Sequence, residues 1–239
     1  MSKAYIQYNG YRSDAVGITE VVVKLLGTIQ IPTPQKRYDT ITIPGRDGLL
    51  YEEDAYDDIV IPLEMEIQDL DLKKNEDAID IVKRWLKETT DPRLFLSVDE
   101  RSFYRVHQVE MSEIEIRYRR YGQFTAKFTC DPYRYQVASD VAVGLTEQLM
   151  NNNAISRPIY IITGNGACTL TVNGNAIPLT VDGELTINTE KQLCYKSQGV
   201  FANKAMTGEF SDLFLLPGKN TLALTDGFSG KIITNMRKI

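Results

Sequence analysis

Alternation of apolar and polar residues is the clearest pattern in the first half of the chain. From Ile59 to Ile67 every odd position is apolar, and the even positions include two glutamates and Pro62. The same period of two recurs from Phe124 to Cys130. This alternation predicts antiparallel strands with one face buried and the other exposed to solvent, and the proline places the first strand near a sheet edge.

A second segment, residues 75–88, has the period of a helix. Asn75 is a suitable cap, and Asp91-Pro92 follows as a stop. The apolar positions form one continuous stripe that we expect to pack on a sheet. The stripe consists of Ala78, Ile81, Val82, Trp85 and Leu86.

Two features break the strand pattern of the first half. In Pro44-Gly45-Arg46-Asp47-Gly48, proline presets φ and each glycine accepts positive φ, which predicts a tight reversal. In residues 103–118, apolar residues change phase between Met111 and Ile114, which predicts a bulge or a turn.

The second half consists of short apolar runs separated by turn residues. Asn173-Gly174 is a strong hairpin signal. We also expect turns at residues 164–166 and 182–183, where glycine is paired with asparagine or aspartate. About eight short strands at this spacing predict a β-sandwich or jelly roll without helices.

Composition changes near residue 138, because the sole tryptophan and 11 of the 13 tyrosines precede it. We therefore expect two domains, 1–138 and 139–239, with the boundary within 136–155. The predicted fold class is mainly β: an N-terminal β-sandwich or split barrel with one α-helix, followed by a second sandwich.

Charge and hydropathy exclude several classes of function. The whole net charge of −5 falls on residues 1–138, whereas the charges of residues 139–239 balance. A surface without excess positive charge does not bind nucleic acid tightly. No apolar run is long enough for a membrane span, and the N-terminus lacks a secretory signal, so we expect synthesis in the cytoplasm.

Catalytic and metal-binding patterns are not found in the sequence. His107 is the only histidine, and its strand-like surroundings favour a structural role. Cys130, Cys168 and Cys194 lack zinc-ligand spacing and lie in apolar runs, which predicts buried thiols. A glycosidase that uses a pair of carboxylates is another possible class of function, but no feature of the sequence singles out such a pair. We expect no enzymatic activity, no cofactor and no metal ion.

An acidic segment follows the Pro44–Gly48 reversal and is the main candidate for a contact. We expect a solvated loop or a contact with a basic run of a neighbouring subunit; a calcium site would need a different ligand spacing. The acidic residues are Glu52, Glu53, Asp54, Asp57 and Asp58, and the basic run is Arg117, Arg119 and Arg120. Gly45, Arg46 and Asp47 of the reversal are further candidates for this contact.

Several of these pieces, in this order, resemble the distal tail protein family of phages that infect mainly Gram-positive bacteria. They are the Ile43–Gly48 reversal, the strand from Ile59, the Trp85 helix, the segment 124–135 ending FTCDPYRY, and a second part from SRPIYIITGNG to LFLLPGKNTLAL. The resemblance extends over nearly the whole chain, and the order of the motifs carries it.

The resemblance implies a structural virion protein at the tail tip. Its first domain would form a homo-hexameric ring between the tail tube protein and the tail-tip hub protein, through which DNA passes. Its second domain would be a galectin-like sandwich that binds receptor-binding proteins in some members. The alternative is a lectin-like module for attachment to the host surface, although the second domain has only Tyr160 and Tyr195 as tyrosines and no tryptophan.

Overall fold

The computed structural model describes residues 4–16, 21–68, 75–117 and 121–239. The chain divides into two compact units, Met1–Arg134 with Ile239, and Tyr135–Lys238. Most of the described chain is strand, and α1 (Asn75–Lys87) is its one α-helix. The predicted mainly β fold class is therefore confirmed.

The strands of the first unit form a large antiparallel sheet and a separate hairpin. The strands are β1 (Ile6–Tyr8), β2 (Tyr11–Arg12), β3 (Val23–Leu26), β4 (Lys36–Ile41), β5 (Leu50–Tyr56), β6 (Ile59–Ile67), β7 (Arg93–Leu96), β8 (Asp99–Met111), β9 (Glu115–Arg117) and β10 (Tyr121–Gln136). The sheet has the order β2-β1-β7-β8-β10-β6-β3, and β9 pairs with β10. Within the described residues, β4 and β5 form a separate two-stranded sheet.

β6 and β10 are the strands that the alternating pattern predicted. They pair antiparallel, with Phe124 opposite Met65 and Phe128 opposite Ile61. These four side chains are buried in one core. Because β3 pairs only with the C-terminal half of β6, Pro62 lies where β10 is the only described strand beside β6, a position near a sheet edge that tolerates proline.

Helix α1 packs on this core through the predicted stripe. Val82, Trp85 and Leu86 are buried. The indole Nε1 of Trp85 donates a hydrogen bond to the Tyr8 carbonyl oxygen at 2.7 Å. The two rings meet edge to face, with centroids 6.5 Å apart. The helix is thereby fixed on β1, and Lys87 is its last residue.

The phase change in residues 103–118 is a turn. β8 ends at Met111 and β9 begins at Glu115. The Ser112 hydroxyl accepts a hydrogen bond from the Thr125 backbone N–H at 2.9 Å, which ties the turn to β10. The apolar residues of β9 consequently belong to a different strand from those of β8.

The second unit contains eight strands and no α-helix. They are β11 (Val143–Gly144), β12 (Gln148–Asn151), β13 (Ile159–Val172), β14 (Asn175–Asn188), β15 (Leu193–Lys196), β16 (Gly218–Leu224), β17 (Ser229–Ile233) and β18 (Arg237–Lys238). The sheet order is β11-β17-β13-β14-β15, and β16 joins β13 to β12. Short 3-10 helices lie at 137–139, 197–199, 203–205 and 210–213.

The turns expected at 164–166 and 182–183 are wrong. β13 and β14 pair without interruption from the Asn173-Gly174 turn, and Gly164 lies opposite Gly183. Gly164 has φ 155° and Gly183 has φ 80°. The pattern suggested that each strand ended at its glycines, but both strands continue through them. They can continue because each strand still satisfies the backbone hydrogen bonds of the other.

Gly164 is required at this bend for a steric reason. A Cβ atom there would lie 2.3 Å from Cδ1 of Phe228, whereas a Cβ at Gly166 would meet nothing within 4 Å. Both glycines have positive φ, 155° and 113°. We expect Gly164→Ala to lower the free energy of unfolding by about 1–3 kcal/mol more than Gly166→Ala, because only the former overpacks the core. Urea unfolding of both variants measures the difference, and equal losses would contradict the steric explanation.

Candidate subunit interface

The hairpin of β4 and β5, residues 36–56, stands apart from the large sheet, and we call it the arm. Its register runs from Lys36 opposite Tyr56 to Ile41 opposite Leu50, with one irregularity after Arg37. A two-stranded hairpin on its own is marginally stable in water. At its base, the ring of Tyr56 meets the ring of Tyr133 in β10 edge to face, with centroids 6.1 Å apart.

The connection of the arm is the reversal predicted from the sequence. The Arg46 backbone N–H donates to the Ile43 carbonyl oxygen at 3.2 Å, which closes a four-residue turn. Gly45 has φ 82° and Gly48 has φ 81°. Proline at the second position and glycine with positive φ at the third define a type II turn, as expected.

The arm exposes apolar side chains on both strands and on the turn. Tyr51 is 64% exposed, and its ring meets that of Tyr38 edge to face at 6.3 Å. The exposed large apolar residues of this segment are Tyr38, Ile41, Ile43, Leu49, Leu50 and Tyr51. Tyr38 and Tyr51 lie on one face of the hairpin and Ile41 and Leu50 on the other, because adjacent residues of a strand point to opposite faces.

The predicted contact residues lie on or beside this surface, as far as they are described. Gly45, Arg46 and Asp47 are exposed in the turn, and Glu52 is exposed on β5. Asp57, just beyond the arm, is exposed and pairs with Arg37 at 3.8 Å between Oδ1 and Nη1.

The proposed acidic-to-basic match stays a prediction. Glu53 lies opposite Tyr38, and Arg117 lies opposite Tyr121, but the side chains of Glu53 and Arg117 are not described. Arg119 and Arg120 lie outside the described residues.

A second apolar surface, which the sequence did not single out, lies between α1 and β9. Ile116 is 54% exposed there. The surface is an open groove of about 520 Å³, and we call it the Ile116 groove. It is lined by Ile79, Lys83, Lys87, Met111, Ser112, Glu113, Ile114 and Ile116. The signal available in the sequence was the phase change, because it places Ile116 in a separate strand whose only apolar side chain is exposed.

The three cysteines are free and buried, as predicted. Burial raises the pKa of the Cys194 thiol to about 11 and raises the pKa of Cys130 further. The thiolate is the reactive form of cysteine, so burial disfavours reaction at these thiols. They contribute to the cores and not to a reactive site.

The positions of His107 and Tyr160 bear on the alternatives that the sequence left open. His107 is exposed on β8, and its Nε2 lies 2.8 Å from Asp131 Oδ1. Tyr160 is fully buried and donates its hydroxyl hydrogen to the Leu213 carbonyl oxygen at 2.9 Å. A buried ring cannot stack on a sugar, which removes one support for the lectin alternative.

Helix α1 is too short and too polar to cross a membrane, and no other described helix qualifies.

Comparison with known proteins places these features in context. Residues 17–130 match the family model described as phage tail protein RIFT-related domain. No curated protein sequence matches the chain.

Two solved structures share the fold over the whole chain. The Dit protein of phage SPP1, described as a hub of the adsorption apparatus in phages infecting Gram-positive bacteria, matches with a TM-score of 0.64, 14% identity and 99% coverage of both chains. A chain of the activated phage P2 baseplate matches with a TM-score of 0.50 and 10% identity, covering 100% of this chain and 99% of the other. These likenesses confirm, for the fold, the resemblance to distal tail proteins. The family-model match over residues 17–130 and the two solved structures therefore agree, and the whole chain shares the fold of the SPP1 Dit protein.

Proposed function

We propose that this chain is a non-enzymatic structural protein of the phage tail tip that assembles into a closed ring, of six copies as the family resemblance implies. The ring lies between the tail tube protein and the tail-tip hub protein and lets DNA pass. The second unit faces outward, where receptor-binding proteins bind. The protein is made in the host cytoplasm and ends in the virion tail.

The arm carries this proposal. In the part of the chain that the structure describes, its two strands pair with no strand but each other, and Tyr51 is 64% exposed. Burial against a neighbouring copy would remove this surface from water, at about 25 cal/mol for each Å² buried. Aromatic side chains such as tyrosine are the residues that most often dominate such contacts.

The Ile116 groove is the surface that we assign as the acceptor of the arm on the next copy. It offers apolar side chains with Lys83 and Lys87 at its rim. The arm combines apolar residues with Glu52, whose charge is opposite to that of Lys83 and Lys87. Contact between the arm of one copy and the groove of the next, two different surfaces, is a heterologous interface, which closes into a ring when the rotation permits.

Assembly of the purified full chain tests the proposal. Native mass spectrometry is expected to give a discrete oligomer near six copies, and negative-stain microscopy is expected to show rings with an open centre. The acidic first region is expected to keep the opening free of bound DNA, since phosphates are repelled. A chain that stays monomeric at every soluble concentration, also when mixed with its tail tube protein, would refute the ring.

A further inference from the structure

Three side chains that can bind a metal ion converge next to the arm. Asp58 lies between β5 and β6, His107 lies in β8, and Asp131 lies in β10. One ligand atom from each lies within 4.8 Å of the other two. The closest pair is His107 Nε2 and Asp131 Oδ1, at 2.8 Å.

The sheet fixes this convergence. β8, β10 and β6 are successive neighbours, and Cys130 lies opposite Ile59 at the end of the ladder. Cys130 and Ile59 are buried, so the adjacent Asp131 and Asp58 point away from the core. Val106 is likewise buried and leaves the adjacent His107 exposed. The three ligands are therefore held by backbone positions that the core determines.

The chemistry of the three groups favours a cation. Two carboxylates at this distance repel each other unless a positive charge lies between them. One imidazole nitrogen and two carboxylate oxygens form the mixed set that zinc accepts, with bonds of about 2.0–2.2 Å and water at the remaining position. Calcium and magnesium prefer oxygen ligands alone.

We propose that Asp58, His107 and Asp131 form a binding site for a divalent transition metal, with Zn²⁺ as the ion that fits best. Binding replaces the hydrogen bond between His107 and Asp131, so the imidazole carries its remaining proton on Nδ1. Because Asp58 follows the second strand of the arm, the ion ties the base of the arm to β8 and β10. This site does not depend on ring formation.

Zinc titration of the full chain without a histidine tag tests the site. Calorimetry is expected to give one Zn²⁺ per chain. The single imidazole signal in the NMR spectrum of histidine-labelled protein is expected to shift as zinc is added. His107→Ala and Asp131→Asn are each expected to weaken binding at least tenfold. Asp226→Asn, an exposed aspartate of the second unit, is the matched control and is expected to leave binding unchanged.

A second measurement separates a site from scattered surface binding. Diethylpyrocarbonate modifies the only histidine, and Zn²⁺ is expected to protect it, whereas Ca²⁺ is expected not to. Zinc binding that is unchanged by His107→Ala, or protection that Ca²⁺ gives equally, would show adventitious binding by surface carboxylates and overturn the proposal. Circular dichroism of each variant verifies that the fold is retained.

Discussion

Tyr51→Asp is expected to leave the chain folded and to abolish closed rings. Tyr51 is 64% exposed on the arm, so the substitution removes no contact from either core. Replacing a tyrosine at the centre of an interface costs about 2 kcal/mol or more, and a buried unpaired carboxylate adds to that loss. A loss of 2 kcal/mol weakens each contact about 30-fold, and every contact in the ring carries the same change.

The matched control for Tyr51→Asp is Val98→Asp. Val98 is also 64% exposed and lies in the same unit, in the turn between β7 and β8. The control introduces the same charge without touching the arm, and it is expected to form rings like the unchanged chain. Native mass spectrometry at matched concentrations compares the three proteins. Rings of Tyr51→Asp at normal abundance would exclude the arm as the contact.

Mixing two variants tests whether the arm meets the Ile116 groove. Ile116→Asp is expected to disable the groove and keep the arm, whereas Tyr51→Asp does the opposite. Each variant alone is expected to be monomeric. Because only one intact contact can form between them, the mixture is expected to give heterodimers and no rings. A mixture that stays monomeric while each fold is intact would show that the arm binds elsewhere.

Trp85→Ala is expected to lower the free energy of unfolding of the first unit by about 3–5 kcal/mol. Trp85 is 4% exposed, and its removal leaves a cavity between α1 and β1. The Tyr8 carbonyl oxygen also loses the hydrogen bond that the indole donates at 2.7 Å. Marginal stability makes a loss of this size a large fraction of the total.

Urea denaturation monitored by far-ultraviolet circular dichroism measures this effect. Tryptophan fluorescence cannot be used, because Trp85 is the only tryptophan and the variant lacks it. Trp85→Phe is the control: it retains most of the volume and loses the hydrogen bond, so a loss of about 1–2 kcal/mol is expected. An unchanged unfolding midpoint for Trp85→Ala would show that α1 does not stabilise the first unit.

Local patterns were sufficient for several elements of the first unit. The alternation in β6 and β10, the stripe of α1 and the turn at Pro44-Gly45 each depend on neighbours in sequence, and each was predicted correctly. The bend at Gly164 was not, because a glycine pair signals a turn only when no facing strand continues the ladder. That condition concerns a partner strand and cannot be read from the segment itself.

The sequence by itself determined strands β6 and β10, helix α1 and the reversal at Pro44-Gly45, since periodicity and backbone preference act over a few residues. Only the tertiary structure decided that the arm stands outside the large sheet with Tyr51 exposed, and that Asp58, His107 and Asp131 meet at one end of β6. Both outcomes depend on which strands become neighbours. Strand order is set by burying the whole core at once, a sum over distant contacts that no single stretch of sequence contains.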